Sequence, residues 1–351
     1  MACKHPLKAF CIGYKDNGKK EILIRPYAVD HLEKRNGKWT DSYVHGFVSQ
    51  QAVAVCKEFD EIPCGKCIGC RLEYSRQWAN RCLLELQYHK SAYFVTLTYD
   101  DLHVPETWYG DPDTGEAKRA YTLRKRDFQL FMKRLRKQTG QELRYFAAGE
   151  YGSKTFRPHY HAIIYGLELN DLEFYKVSEL GFNYYNSPLV NRAWSCYNKD
   201  KKGTTPLGFA VVAEVTWETC AYTARYTAKK NNMEGDDYFQ SMNLEPPFTL
   251  MSRRPGIGAQ YFKDHPELFE HAYINVATEK GGRKFRSPKY FFNLLERENP
   301  ALASDLKAQR KELMDKSHAL KLQNTDLSYL DLLEVEEEAL IARTKCLERR
   351  L

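Results

Sequence analysis

The sequence predicts an α+β chain with a helical C-terminal tail, on three observations. Residues 143–150 and 159–166 are two strand-like runs joined by a connection that holds Gly152, Ser153 and Pro158, all turn formers, so they read as an antiparallel hairpin. Residues 124–137 place Phe128, Phe131, Met132 and Leu135 on one face of a basic amphipathic helix. From about Asn299 the composition shifts to Leu, Lys, Glu and Ala. Leu306, Leu313, Leu320 and Leu327 then recur every seven residues, as do Leu333, Leu340 and Leu347.

The other elements follow in chain order. The first sixty residues are turn-rich, with strand-like pieces at 21–25 and 46–55. Residues 64–90 read as a helix following a cysteine cluster, with Leu72, Trp78, Leu83, Leu84 and Leu86 at roughly helical spacing. Phe94-Val95-Thr96-Leu97-Thr98-Tyr99 is β-branched and aromatic, hence a strand. Residues 100–120 are expected to be a long polar loop. A strand at 209–215 leads to a helix from Trp217 to about Lys230, capped by Thr216 with Glu218 in its first turn. Beyond Asn231 the chain is expected to be loop-rich. The heptad leucines suggest two helices, packed on the domain rather than forming a coiled coil, since only one apolar position per heptad is filled consistently.

Composition narrows the function. The chain has 351 residues, 43% hydrophobic and 28% charged, as in a globular protein. A net charge of +7 suits a polyanionic partner. No apolar stretch is long enough to span a bilayer, and Met1-Ala2-Cys3-Lys4-His5-Pro6 leads into no signal-peptide core. Ten cysteines without an export signal point to a reducing cytoplasm, with some thiols used for metal.

Three clusters carry chemistry. Side chains at i and i+2 of a strand share a face, so His159 and His161 point together. The hairpin connection would place Glu150 across from His159, with Cβ atoms about 5 Å apart. Two imidazoles and a carboxylate suit a divalent ion such as Mg²⁺ or Mn²⁺ acting as a Lewis acid on a phosphate. Tyr222 and Tyr226 lie at i and i+4 of a helix, each followed three residues later by a cation, Arg225 and Lys229. A phenol has a pKa of about 10, so a nearby cation or metal would favour the nucleophilic phenolate, and the same cations could hold a phosphate. Cys64-X-X-Cys67-X-X-Cys70 reads as a structural Zn²⁺ site, with an iron–sulfur half-site as the alternative. Cys3, His5 and Cys56 are candidates for the fourth ligand, Cys3 first. In loops, Arg253, Arg254 and Arg283 are candidate DNA contacts.

Together these segments resemble the HUH endonucleases, and more closely the rolling-circle replication initiation proteins of microviruses, small circular single-stranded DNA phages. Residues 94–99 look like the family's first motif, His159-Tyr160-His161 like its His-hydrophobic-His motif, and 222–230 like its tandem-tyrosine motif. Pro63-Cys64-Gly65-Lys66-Cys67 and Ser252-Arg253-Arg254-Pro255-Gly256 look like those of gokushovirus-like initiators. Tyr160 departs from the usual apolar residue. The resemblance covers about residues 64–260 and implies a five-stranded antiparallel sheet with the metal site on its central strands.

It also implies a reaction. A tyrosine attacks a phosphodiester of single-stranded origin DNA, giving a 5′-phosphotyrosyl link and a free 3′-hydroxyl, and the second tyrosine later permits rejoining. The implied partners are origin DNA and the host's helicase and DNA polymerase, in the cytoplasm of a bacterial host and without a membrane. The expected division is an N-terminal segment at 1–90, a catalytic domain at 91–298 and a helical tail at 299–351. The competing readings are a zinc-stabilised, non-catalytic single-stranded DNA-binding protein and a related transposase or relaxase.

Overall fold

The structure is a computed structural model that describes residues 3–111, 113–152, 155–178, 181–198, 202–229, 236–278 and 281–348. The side chains at 198, 225–229, 236–237, 278 and 345–348 lie outside the described set. The chain separates into two compact units, Met1–Glu73 with Asp305–Leu351, and Tyr74–Ser304.

The second unit is built on a seven-stranded sheet. In chain order its strands are β1 (Ala92–Tyr99), β2 (Arg144–Tyr151), β3 (Pro158–Tyr165), β4 (Glu173–Val177), β5 (Asn183–Asn186), β6 (Gly208–Glu214) and β7 (Phe248–Met251). They lie in the order β4-β5-β6-β1-β3-β2-β7, and every neighbouring pair is antiparallel. The central antiparallel sheet of the α+β reading is therefore present, with two strands more than the resemblance implies. β7 arises where loop is expected, and β4 and β5 lie in a stretch with no marked alternation.

Alternation along β1 and β3 divides the two cores. Val95, Leu97, Tyr99, Tyr160, Ala162 and Ile164 face one side. They pack on Phe128, Phe131, Met132 and Leu135 of helix α2 (Lys125–Thr139) and on Trp194, just past helix α3 (Pro188–Ala193). On the other side Phe94, Ile163 and Tyr165 meet Trp78, Ala79 and Cys82 of α1 (Ile68–Leu86), and Cys220, Ala221 and Ala224 of α4 (Trp217–Lys229). Thr216 and Thr219 cap α4 reciprocally: each backbone N–H donates to the other's hydroxyl, at 2.9 and 3.3 Å.

Tyr160 shows why a tyrosine serves between the two histidines. Its ring is buried in the α2 core, and its hydroxyl donates to the Arg124 carbonyl at 2.9 Å and accepts from the Arg124 N–H at 3.1 Å. Arg124 stands at the α2 N-cap without a side-chain cap of its own. The Tyr99 hydroxyl lies 2.8 Å from that of Tyr160 and donates to Asp127 in the first turn of α2 at 2.8 Å. The phenols thus fix the helix to the strands from below. Gly208 fixes β6 to β1: a Cβ there would lie 2.3 Å from the Thr98 carbonyl oxygen, so only glycine permits the approach.

In the first unit, Leu7–Tyr14 lies between Lys20–Pro26 and Phe59–Ile62, and His31–Arg35 lies between Lys38–Ser42 and Ala54–Cys56. Residues 46–53, expected as strand, form turns and irregular backbone, and only Ala54–Cys56 pairs. The helix expected from Cys64 begins at Ile68, because Gly65 takes a left-handed φ of 75° that turns the chain first. The tail helices Pro300–Leu322 and Tyr329–Glu348 are present as expected. Within this unit Tyr329 donates to Glu61 at 3.1 Å, and Glu336 pairs with Lys4 and Lys321.

Other expected loops also carry structure. Residues 100–120 include part of a hairpin of Glu106–Gly110 with Ala117–Tyr121. Beyond 231 lie β7, a hairpin of Ile274–Thr278 with Gly281–Phe285, and the helix Lys289–Glu298. Among the described residues, no helix is long and apolar enough to cross a membrane.

Replacing Tyr160 by Phe removes one buried hydroxyl and leaves the Arg124 N–H and carbonyl without it. The expected cost is about 1–3 kcal/mol, measured as a lower midpoint in urea unfolding. An unchanged midpoint would show that the phenol does not anchor α2.

Candidate active site

The hairpin of β2 and β3 builds the first cluster. Glu150 pairs with His159 in the register, and His161 follows two residues on, so all three side chains share one face. Glu150 Oε1 lies 2.8 Å from His159 Nε2 and 3.1 Å from His161 Nε2. The other ring nitrogens are occupied: His159 Nδ1 lies 3.1 Å from the Arg157 carbonyl, and His161 Nδ1 lies 3.0 Å from the Thr96 hydroxyl. A carbonyl can only accept, so it selects the tautomer with Nδ1–H and leaves Nε2 of His159 as the ligating atom. Thr96, which faces His161 across β1, holds the second ring in the same sense.

Glu150 and His161 are buried, and His159 is partly so. Burial works against the carboxylate charge, yet the hydrogen bonds from His159 and His161 outweigh it and hold Glu150 at about 2. The three ligand atoms lie within 4.8 Å of one another, so this mixed nitrogen and oxygen set fits a divalent cation.

Helix α4 brings Tyr222 to the same place. Its ring meets the His161 ring edge to face at 5.1 Å, while Phe94 stacks on the other side of His161 at 5.4 Å. Tyr226, Arg225 and Lys229 fall on α4 as expected, but their side chains lie outside the described residues.

The second cluster joins Cys3, Cys64, Cys67 and Cys70, whose sulfurs all lie within 4.8 Å. The Cys64–Cys70 and Cys67–Cys3 separations are both 4.0 Å. A tetrahedral zinc site with Zn–S bonds of about 2.3 Å needs sulfurs roughly 3.8 Å apart, so the spacing fits. Backbone N–H groups of Lys4, Cys64 and Cys67 donate to sulfurs of the cluster at 3.2 to 3.3 Å. Burial pushes the Cys3 thiol up to about 11, whereas at Cys67 the N–H groups of Lys4 and Cys70 overcome burial and bring it to about 7. A cation would relieve the crowding of like charges. The other fourth-ligand candidates are engaged elsewhere: His5 pairs with Glu337 at 2.5 Å, and the Cys56 thiol donates to the Cys11 carbonyl at 3.3 Å.

The expected DNA-contacting arginines differ. Arg253 and Arg254 are exposed. Their loop is held by Arg144, which donates to the Pro255 carbonyl at 2.9 Å, and by Glu85, which accepts from the Gly258 N–H at 2.7 Å. Arg81 donates to the Ile257 carbonyl at 3.0 Å and lies between the rings of Trp78 and Tyr290, at 4.0 and 3.8 Å. Arg283 is instead engaged on α4, stacked 3.7 Å over Trp217 and donating to Glu218 at 3.1 Å. Sequence reasoning misses Thr96, Arg81, Glu85 and Arg144. Only Thr96 carries a signal, as the polar residue of a strand whose neighbours are apolar.

Residues 92–231, which run from β1 past α4 and include the Glu–His–His cluster and Tyr222, match the family described as replication-associated protein ORF2. Over 339 residues, 93% of this chain and 98% of the relative, the sequence is 32% identical to replication-associated protein ORF2 of Spiroplasma virus 4. The chain belongs to this family of phage replication-associated proteins. It is also 31% identical to replication-associated protein VP4 of Bdellovibrio phage phiMH2K over 250 residues, 68% of each chain. With replication-associated protein ORF4 of Chlamydia phage 1 it shares 26% identity over 246 residues, 67% of this chain and 54% of the relative. These relatives agree with the gokushovirus-like resemblance of the sequence. No solved structure matches the chain.

Proposed function

We propose that this replication-associated protein is a metal-dependent DNA endonuclease and strand transferase that opens and recloses the origin in rolling-circle replication. The observation that carries the reading is the position of Tyr222 against His161, on the face where Glu150 and His159 converge. The phenolate oxygen of Tyr222 or Tyr226 attacks the scissile phosphorus. The bond to the 3′ oxygen breaks and that oxygen takes up a proton, giving a free 3′-hydroxyl and a 5′-phosphotyrosyl ester. Rejoining reverses the exchange, with a 3′-hydroxyl displacing the tyrosine, so the ester conserves the energy of the broken bond.

Glu150, His159 and His161 would hold Mg²⁺ or Mn²⁺, which when bound polarises the scissile phosphate. Arg225 and Lys229 follow the tyrosines by one helical turn, where a cation would favour the phenolate and pair with the phosphate. Arg253 and Arg254 would contact the DNA backbone from their clamped loop, and Arg283 would do so at the edge of α4. Cys3, Cys64, Cys67 and Cys70 would hold a structural Zn²⁺ that fastens the N-terminus to the start of α1. Host helicase and polymerase would extend the free 3′ end in the bacterial cytoplasm.

With Mg²⁺ or Mn²⁺ and circular single-stranded DNA of the cognate genome, the wild-type chain is expected to form a covalent adduct visible on a denaturing gel. Changing both Tyr222 and Tyr226 to Phe should abolish it, while each single change leaves partial cleavage. An adduct of undiminished yield in the double variant would remove the tyrosines from the reaction, and no adduct from wild type would leave a non-catalytic DNA-binding protein.

Protein purified without chelator should carry about one zinc per chain by elemental analysis. Cys67→Ser should reduce that content and lower the thermal midpoint. Wild-type protein with zinc near zero would reject the structural site.

A further inference from the structure

The row of side chains that contains Glu150 and His159 continues across the sheet. Glu150 pairs with His159, His159 with Thr98, and Thr98 with Phe209, so residues of β2, β3, β1 and β6 stand in line on one face. Paired residues lie about 5 Å apart, which places Phe209 roughly 10 Å from His159. Thr98 is small, and its hydroxyl turns away to donate to the Phe209 carbonyl at 3.0 Å.

Phe209 is 40% exposed although its strand lies inside the sheet, and Tyr175 on β4 is 46% exposed. Their rings meet at 5.5 Å and 61°, and Lys176 Nζ lies 5.5 Å from the Tyr175 ring. Among the described residues, neither ring belongs to the apolar cores on the two sides of the sheet. Two adjacent aromatic rings are thus left in water, in line with the cluster and beside a cation.

We propose that Phe209 and Tyr175 form a stacking platform for unpaired bases of the DNA strand whose phosphate lies at the Glu150–His159–His161 cluster. The inference rests on the nicking function proposed above. Aromatic faces stack on any base, so the platform grips and orients the strand rather than reading its sequence. Lys176 would meet the backbone beside it. Two features favour bases over a strand added by a protein partner. The platform continues the row of the cluster, and the β4–β5 ladder shifts register between Phe174 and Lys176, which interrupts the edge such a partner would need.

The test is fluorescence anisotropy of a labelled oligothymidylate with the intact chain, in the Tyr222→Phe, Tyr226→Phe background so that no adduct forms. Phe209→Ala and Tyr175→Ala together are expected to weaken binding at least about 10-fold. Phe209→Trp should retain the parent affinity. Both rings are exposed, so thermal midpoints should match the parent and confirm folding. Duplex DNA, whose bases are already stacked, should bind the alanine variant as it binds the parent.

Unchanged oligothymidylate affinity in the folded alanine variant would overturn the platform, as would an equal loss on duplex. So would a concentration-dependent dimer that the two alanines abolish, since the rings would then cover a second copy. The nicking reading fails separately: no adduct from wild type, with the affinity loss still present, would leave a binding platform without the chemistry. A normal wild-type adduct with no affinity loss would leave the chemistry without the platform.

Discussion

The register of β2, β3 and β1 is the constraint on which the rest depends. Side chains alternate strictly along a strand, so a slip of one residue would carry His159 and His161 into the α2 core and bring Tyr160 out. Several contacts hold the register from below. The Tyr160 hydroxyl caps α2 at Arg124, and Tyr99 ties the same helix through Asp127. The Trp194 indole donates to the Thr98 carbonyl at 2.8 Å, where Gly208 also makes its close approach. At Gly149 a Cβ would lie 2.8 Å from the Phe248 ring, so β7 packs against the strand that carries Glu150 only because that residue is glycine. Buried aromatic and polar contacts on one face thereby set the positions of three ligands on the other.

What the sequence makes legible follows from how local each signal is. The pairing of His159 with His161 needs only the two-residue period, and the position of Glu150 needs only the length of one hairpin connection. Both are present in the structure. The α2 face is legible because four apolar residues repeat at helical spacing. Cys3 is identifiable only as the preferred member of a set of three, since its partners lie more than sixty residues away.

The remaining features have no local signature. β4 is exposed along its whole length, so no alternation marks it, and β7 has only four residues. The loop that carries Arg253 and Arg254 reads as glycine and proline punctuation. What fixes it is a set of charges on α1 and β2 more than a hundred residues earlier in the chain. Charge patterning shows the same limit. Glu334, Glu336, Glu337 and Glu338 read as an acidic tail that offsets a basic catalytic region, yet two of them are tied within their own unit, Glu336 to Lys4 and Lys321 and Glu337 to His5. Such pairs contribute little energy individually at an exposed surface, but several together orient a helix.

The central claim is that Glu150, His159 and His161 form one cation site. The most direct measurement is Mn²⁺ binding to the intact chain, followed by electron paramagnetic resonance. Wild type should titrate a site that is lost when Glu150→Gln is combined with His161→Ala in a variant of unchanged thermal midpoint. Mn²⁺ bound with the same stoichiometry and affinity by that variant would contradict the account.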